Sequence, residues 1–158
     1  MYWRNREGLW LNMGATDEDF ARFVRRLKVG KPVAKILKRS QATMAQAVAV
    51  PELAAYAAQL GDALQQVGAA TQAAWATGVA EEALANATPY LQAFGHTVLA
   101  WMWLDVALAT VAREDDRAQG QRAAMRYFFA YELPKIGAWL AVVSSRDPTC
   151  RNMREEWF

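Results

Sequence analysis

The sequence predicts an all-α fold, an up-and-down bundle of four to five helices. Three observations carry that expectation. Apolar residues recur at alternating spacings of three and four, no stretch alternates with a period of two, and the body of the chain is rich in alanine. Alanine combines high helix propensity with a small side chain, which lets neighbouring helices approach closely. With 158 residues, 54% hydrophobic and 22% charged, the chain has enough length for one domain with a substantial core and too much apolar content for wholesale disorder.

Asp17–Lys28 is the first predicted helix. Thr16 serves as its N-cap, Asp17, Glu18 and Asp19 occupy the favourable first turn, and Phe20, Phe23, Val24 and Leu27 form the apolar stripe. Gly30-Lys31-Pro32 ends it and starts the second helix, Pro32–Val48. Val33, Ile36, Leu37, Met44 and Val48 are expected inward there, and Lys31, Lys35, Lys38 and Arg39 outward.

Pro51 opens a third helix to Thr77, carrying Leu53, Tyr56, Leu60, Leu64, Val67 and Trp75. Gly61 and Gly68 read as points of close approach, and Gly78 as the stop. The fourth helix is expected over Ala80–Arg113, roughly 50 Å long at 1.5 Å per residue, with a kink at Pro89. Its predicted seam is Ala87, Tyr90, Phe94, Thr97, Trp101, Leu104, Leu108 and Val111. A second apolar line, Leu84, Leu91 and Val98, lies beside it, so more than one face is expected to be covered.

Asp115-Asp116 begin the fifth helix, which follows Met125, Phe129, Leu133, Ile136, Leu140 and Val143 to about Ser144. Pro134 falls inside this seam and is expected to bend or break the helix near residue 130. Asp147-Pro148 then makes a turn. The resulting organisation is a basic arm with a short helix over 1–29, the bundle over 30–146 and a tail over 147–158.

Charge is distributed unevenly. Residues 1–39 hold ten Lys/Arg and four Asp/Glu, while residues 40–112 hold no base and five acids (Glu52, Asp62, Glu81, Glu82 and Asp105). A basic arm and an acidic body can pair with each other, with another chain, or with a polyanion. The uncharged stretch Ala83–Leu104 is long enough to cross a bilayer, yet it contains Asn86, Gln92, His96 and Thr97, which are costly in lipid. No membrane segment is therefore predicted. The N-terminus has arginines but no apolar signal region, so a cytoplasmic location is expected.

Chemical motifs are sparse. One cysteine excludes an internal disulfide framework, and one cysteine with one histidine argues against a standard structural zinc site. A di-iron bundle needs Glu-x-x-His pairs on facing helices, but Ala93 precedes His96 by three residues and there is no second histidine. His96 therefore reads as a hydrogen-bonded bundle residue. Phosphate-binding glycine loops and a Gly-x-Ser-x-Gly elbow are absent. Metal ligands and catalytic residues are accordingly assigned to no position.

Seven tryptophans stand out. Trp101 and Trp103 cannot share one helix face, so one of them looks toward a second surface. Trp3, Trp10 and Trp157 lie near the termini with Phe158, and together with Trp103 they are the interface candidates. Arg22, Arg25, Arg26, Lys35, Lys38 and Arg39 form an anion-binding candidate on the basic helices. Phe20 and Phe23 sit on the apolar stripe rather than between these charges, which disfavours base stacking and hence nucleic acid as the partner.

Pro89-Tyr90-Leu91-Gln92-Ala93-Phe94-Gly95, followed by Trp101, resembles a stretch near the end of long bacterial acyl-CoA dehydrogenases, such as the methylmercaptopropionyl-CoA dehydrogenases. Arg126-Tyr127-Phe128-Phe129-Ala130-Tyr131-Glu132-Leu133-Pro134 is similar to that family's Phe-Tyr-Ala-x-x-x-Leu-Pro helix. The likeness covers roughly residues 30–158 and is best over 84–143.

The resemblance implies the C-terminal helical portion of such a flavoprotein, as an excised domain or a small subunit. The role it implies is structural: covering the catalytic part, shaping the acyl end of its pocket, or building a homo-oligomer. Family members bind FAD with the help of a β-domain that this chain lacks, so no cofactor is expected on this chain alone. Their catalytic glutamate lies in a Tyr-Glu-Gly-Thr motif. Only Glu7-Gly8 matches it here, within Arg6-Glu7-Gly8-Leu9, so no catalytic base is carried over. The alternative is an independent helical module that grips an anionic partner through residues 17–39.

Overall fold

The computed structural model describes residues 30–157, with side chains from Lys35 onward. Trp3, Glu7, Trp10, the predicted first helix with Arg22, Arg25 and Arg26, and Phe158 lie outside the described residues. The chain divides into two units, residues 1–40 and 41–158, and the packing described below is that of the second.

Every described regular element is helical: α1 (Gly30–Val48), α2 (Ala54–Ala74), α3 (Ala80–Leu84), α4 (Ala87–Thr110), α5 (Asp116–Tyr127), α6 (Ile136–Ser145) and the short α7 (Thr149–Asn152). A π-helical turn, Phe128–Glu132, and a 3-10 turn, Leu133–Lys135, join α5 to α6. The core forms where α2, α4 and α6 pack on one another and α5 closes on α4.

The α2 side of that core is Ala57, Leu60, Ala63, Val67, Ala70 and Ala74, spaced three and four apart. Gly78 adopts φ 71° and stops the segment after α2, as its freedom from a Cβ allows. At Gly61 a Cβ would meet Met44 Sδ at an ordinary 3.8 Å, whereas Gly68 faces open space and marks no close approach.

Four expectations are corrected by the structure. On α1 the buried positions of the second unit are Thr43 and Ala47, while Val48 is exposed; in the first unit's part of the helix Ser40 is buried and Leu37 exposed. Small side chains hold the centre there, and Thr43 is anchored by hydrogen bonds. Trp101 Nε1 donates to Thr43 Oγ1 at 2.9 Å, and that hydroxyl donates to Asp105 Oδ1 at 3.1 Å, so the last turns of α1, from Gln41 onward, are pinned to α4.

The predicted fourth helix is in fact two. It breaks at Ala85-Asn86, and Pro89 falls in the first turn of α4, where no intrahelical partner for its missing N–H is needed. No kink within a single long rod arises, and α4 extends about 36 Å over its 24 residues. Asn86, buried at the break, donates from Nδ2 to the Asp147 carbonyl at 3.0 Å.

The deepest line of α4 is Ala93, Thr97, Ala100, Leu104, Ala107 and Thr110. Of the expected seam only Thr97 and Leu104 lie on it; Tyr90, Phe94, Trp101 and Leu108 flank it, half-buried, and Ala87 is exposed. Close helix approach puts the smallest side chains at the centre and the large ones at the sides. The second apolar line is covered only at Val98, which is partly buried; Leu84 and Leu91 are 59% and 68% exposed.

The fifth seam is as expected, with Met125, Phe129, Leu133, Ile136, Leu140 and Val143 all buried. Pro134 has no N–H to return to the preceding turn, and the ladder widens just before it. Leu133 N–H reaches the Phe128 carbonyl across the π turn. At the other end, Arg122 Nη1 donates to the Thr110 and Arg113 carbonyls and satisfies the C-terminus of α4.

Candidate functional site

Three places on the described surface have chemical character: an uncharged face of α4, an aromatic–histidine cluster at the π turn, and a cleft at one end of the bundle. The α4 face follows directly from a sequence that has no charged residue between Ala83 and Leu104. Leu91, Leu99 and Met102 lie exposed along it, with Met102 half open to solvent. Apolar side chains repeated along one helix face leave surface that association with another body would cover.

At the π turn, His96 Nδ1 donates to the Gln92 carbonyl at 3.0 Å. Its Nε2 lies 3.6 Å from Glu132 Oε2, and the ring stands edge-on to Trp139 at 4.7 Å. Lys135 Nζ donates to the same Glu132 oxygen at 2.7 Å. That ammonium, with His96 as a lesser contributor, holds the Glu132 carboxyl below the usual carboxylate range. The hydrogen-bonded histidine thus ties α4 to the π turn.

The cleft encloses about 250 Å³ between the α2–α3 and α6–α7 connections. Thr77, Glu82, Ser145, Arg146 and Arg151 supply its polar lining. Thr77 Oγ1 donates to Glu82 Oε2 at 2.8 Å, and Arg151 Nη1 lies 3.1 Å from Glu82 Oε1. The Thr77 hydroxyl and the Arg151 guanidinium together hold the Glu82 carboxyl below its ordinary range, and Arg146 adds to that field. Arg146 ends α6 at φ 53°, a left-handed conformation that glycine adopts at least cost. Asp147 Oδ1 accepts from Thr149 N–H at 2.9 Å and closes the predicted turn.

These carboxylates predict how stability varies with pH. Glu82, Asp115, Glu132 and Asp147 all titrate below their ordinary values when folded. Their contribution is therefore fully present above the unfolded values, at about pH 4, and is lost as pH falls through the lower folded values. The melting temperature is expected to drop below about pH 4 and to drop less steeply in Glu82→Gln, with salt weakening the difference. A thermal-melt series across pH, followed by circular dichroism, measures both slopes.

Among the sequence-designated residues, Lys35, Lys38 and Arg39 are exposed on α1. Trp103 is half-buried against the chain's own core. Trp157 is exposed in a 3-10 turn, with the Arg154 guanidinium 5.8 Å from its ring centroid. Neither Trp103 nor Trp157 lines the cleft. The cleft itself escaped sequence reasoning because its members are separated by some seventy positions and belong to no motif.

Among the described residues no cluster of His, Cys, Asp or Glu is placed to hold a metal ion, and no helix is long and apolar enough to cross a membrane. A cleft of 250 Å³ lies below the roughly 300–1,000 Å³ of sites for drug-sized ligands. Residues 36–154 match the sequence model of the family described as acetyl-CoA dehydrogenase C-terminal like. No curated protein and no solved structure matches the chain.

Proposed function

We propose a packing role for this chain, which belongs to the acetyl-CoA dehydrogenase C-terminal-like family. It is an auxiliary helical domain of that family. In our reading it presents the uncharged face of α4 to a flavoprotein body or to copies of itself. The observation that carries this reading is the exposed line Leu91, Leu99 and Met102 within the stretch Ala83–Leu104, which holds no Asp, Glu, Lys or Arg. Full burial of such a side chain gains about 1.5–3 kcal/mol, and covering the part of each that is still exposed gains a corresponding share of that.

The same reading makes the parent a bacterial, cytoplasmic flavoprotein of the methylmercaptopropionyl-CoA dehydrogenase type, acting in fatty acid metabolism. FAD and the acyl chemistry belong to that parent body, with this chain shaping or covering it. The resemblance of Pro89–Gly95 and Arg126–Pro134 to that group supports the assignment.

Light scattering on the purified chain tests the packing role. A particle larger than the 17.6 kDa monomer, or co-purification with a flavin-containing partner, is expected. The paired substitution Leu91→Lys and Met102→Lys is expected to abolish that association while leaving helical ellipticity unchanged. A monomer that meets no flavoprotein, or an association indifferent to both lysines, overturns the reading. So does stoichiometric flavin absorbance in the isolated chain.

A further inference from the structure

We propose that the cleft between the α2–α3 and α6–α7 connections binds a small molecule through one oxyanion group, a carboxylate or a phosphate, held by Arg146 together with Arg151. Charge is the first reason. Within the cleft, Glu82 is engaged by Arg151 at 3.1 Å, which leaves Arg146 as the surplus positive charge. Among the described residues no carboxylate comes within ion-pair distance of Arg146.

Donor supply is the second reason. The Thr77 hydroxyl donates to Glu82, and the Ser145 hydroxyl donates to the Val142 carbonyl at 2.8 Å. Donors for an arriving ligand therefore come from the two guanidinium groups, whose planar forks suit carboxylate and phosphate oxygens. Arg151 offers five N–H donors and cannot spend them all on one Glu82 oxygen.

Backbone conformation is the third. Arg146 occupies a left-handed position at the end of α6 where glycine is less strained, and the same residue lines the cleft. Stability alone therefore does not account for an arginine at this position. The volume of about 250 Å³ limits the ligand to a small acid rather than an extended polyanion. Glu82 competes with that acid for Arg151, so its charge sets an upper limit on affinity.

Titration of the full chain with inorganic phosphate and, separately, with acetate at constant ionic strength tests the site. Arginine side-chain NMR signals provide the readout. Saturable shifts are expected at Arg146 and Arg151 with at least one probe, and the probe that saturates identifies the group. Arg146→Gln is expected to weaken binding by about tenfold or more, and Glu82→Gln to strengthen it. Arg146→Gly is expected to abolish binding while raising the melting temperature, which separates loss of the ligand contact from loss of fold. Linear, unsaturated shifts with both probes, equal to those at the exposed Arg117 and Arg126, overturn the proposal. A Glu82→Gln variant that binds more weakly than the parent also overturns it.

Discussion

Phe129→Ala is expected to cost about 3–5 kcal/mol of folding stability. Phe129 is buried in the π turn and packs edge-on against Tyr56 of the α2 segment, with ring centroids 5.1 Å apart. Removing the ring discards its transfer free energy and opens a cavity where α2 meets the α5–α6 junction. The lining cannot collapse freely, because Met125 and Leu133 on either side are themselves buried. For a chain of this size, about 2–4 °C per kcal/mol translates the loss into a melting point lower by roughly 6–20 °C. Urea denaturation of the variant checks the free energy, and a change below about 1 kcal/mol contradicts the packing described.

Ala100→Leu is expected to destabilise by about 1–3 kcal/mol, although it adds apolar surface to a helix already rich in it. Ala93, Ala100 and Ala107 are fully enclosed at seven-residue intervals, along the line where α4 meets its neighbours. Three extra carbon atoms at the middle position must push helices apart or force side chains out of staggered rotamers. Leu99→Ala, one residue earlier on the exposed side, is expected to change stability by less than about 0.5 kcal/mol. Paired denaturation curves give both values. Equal effects at the two positions rule out a seam centred on alanine.

The same contrast explains what the sequence made legible. The seam from Met125 to Val143 was readable because each of its members is large and apolar, and each is buried. On α4 the signal misled: size drew attention to Tyr90, Phe94 and Trp101, whereas helix contact selected Ala93, Ala100 and Ala107. On α1, Ser40 and Thr43 gave no hydrophobic signal at all, yet they are buried while Leu37 and Val48 are not.

The break before α4 was hidden because proline in a long helical pattern reads as a kink. Only the buried Asn86 and its bond to the Asp147 carbonyl make it a new first turn. The cleft was beyond reach for a different reason. Thr77 and Glu82 meet Arg146 and Arg151 only after α4, α5 and α6 have folded back. Family membership was legible in the segments around Pro89–Gly95 and Arg126–Pro134, and the match over residues 36–154 contains both.

The widened turn at Phe128–Glu132 also sets the rotational phase of everything that follows it. One residue corresponds to about 100° around a regular helix axis, so inserting or deleting a residue here turns α6 by about that angle relative to α5. Inserting one residue would swing Leu140 and Val143 away from the interior and bring Trp139 and Val142 round to replace them. A five-residue segment thereby dictates which side of α6 its surroundings can touch.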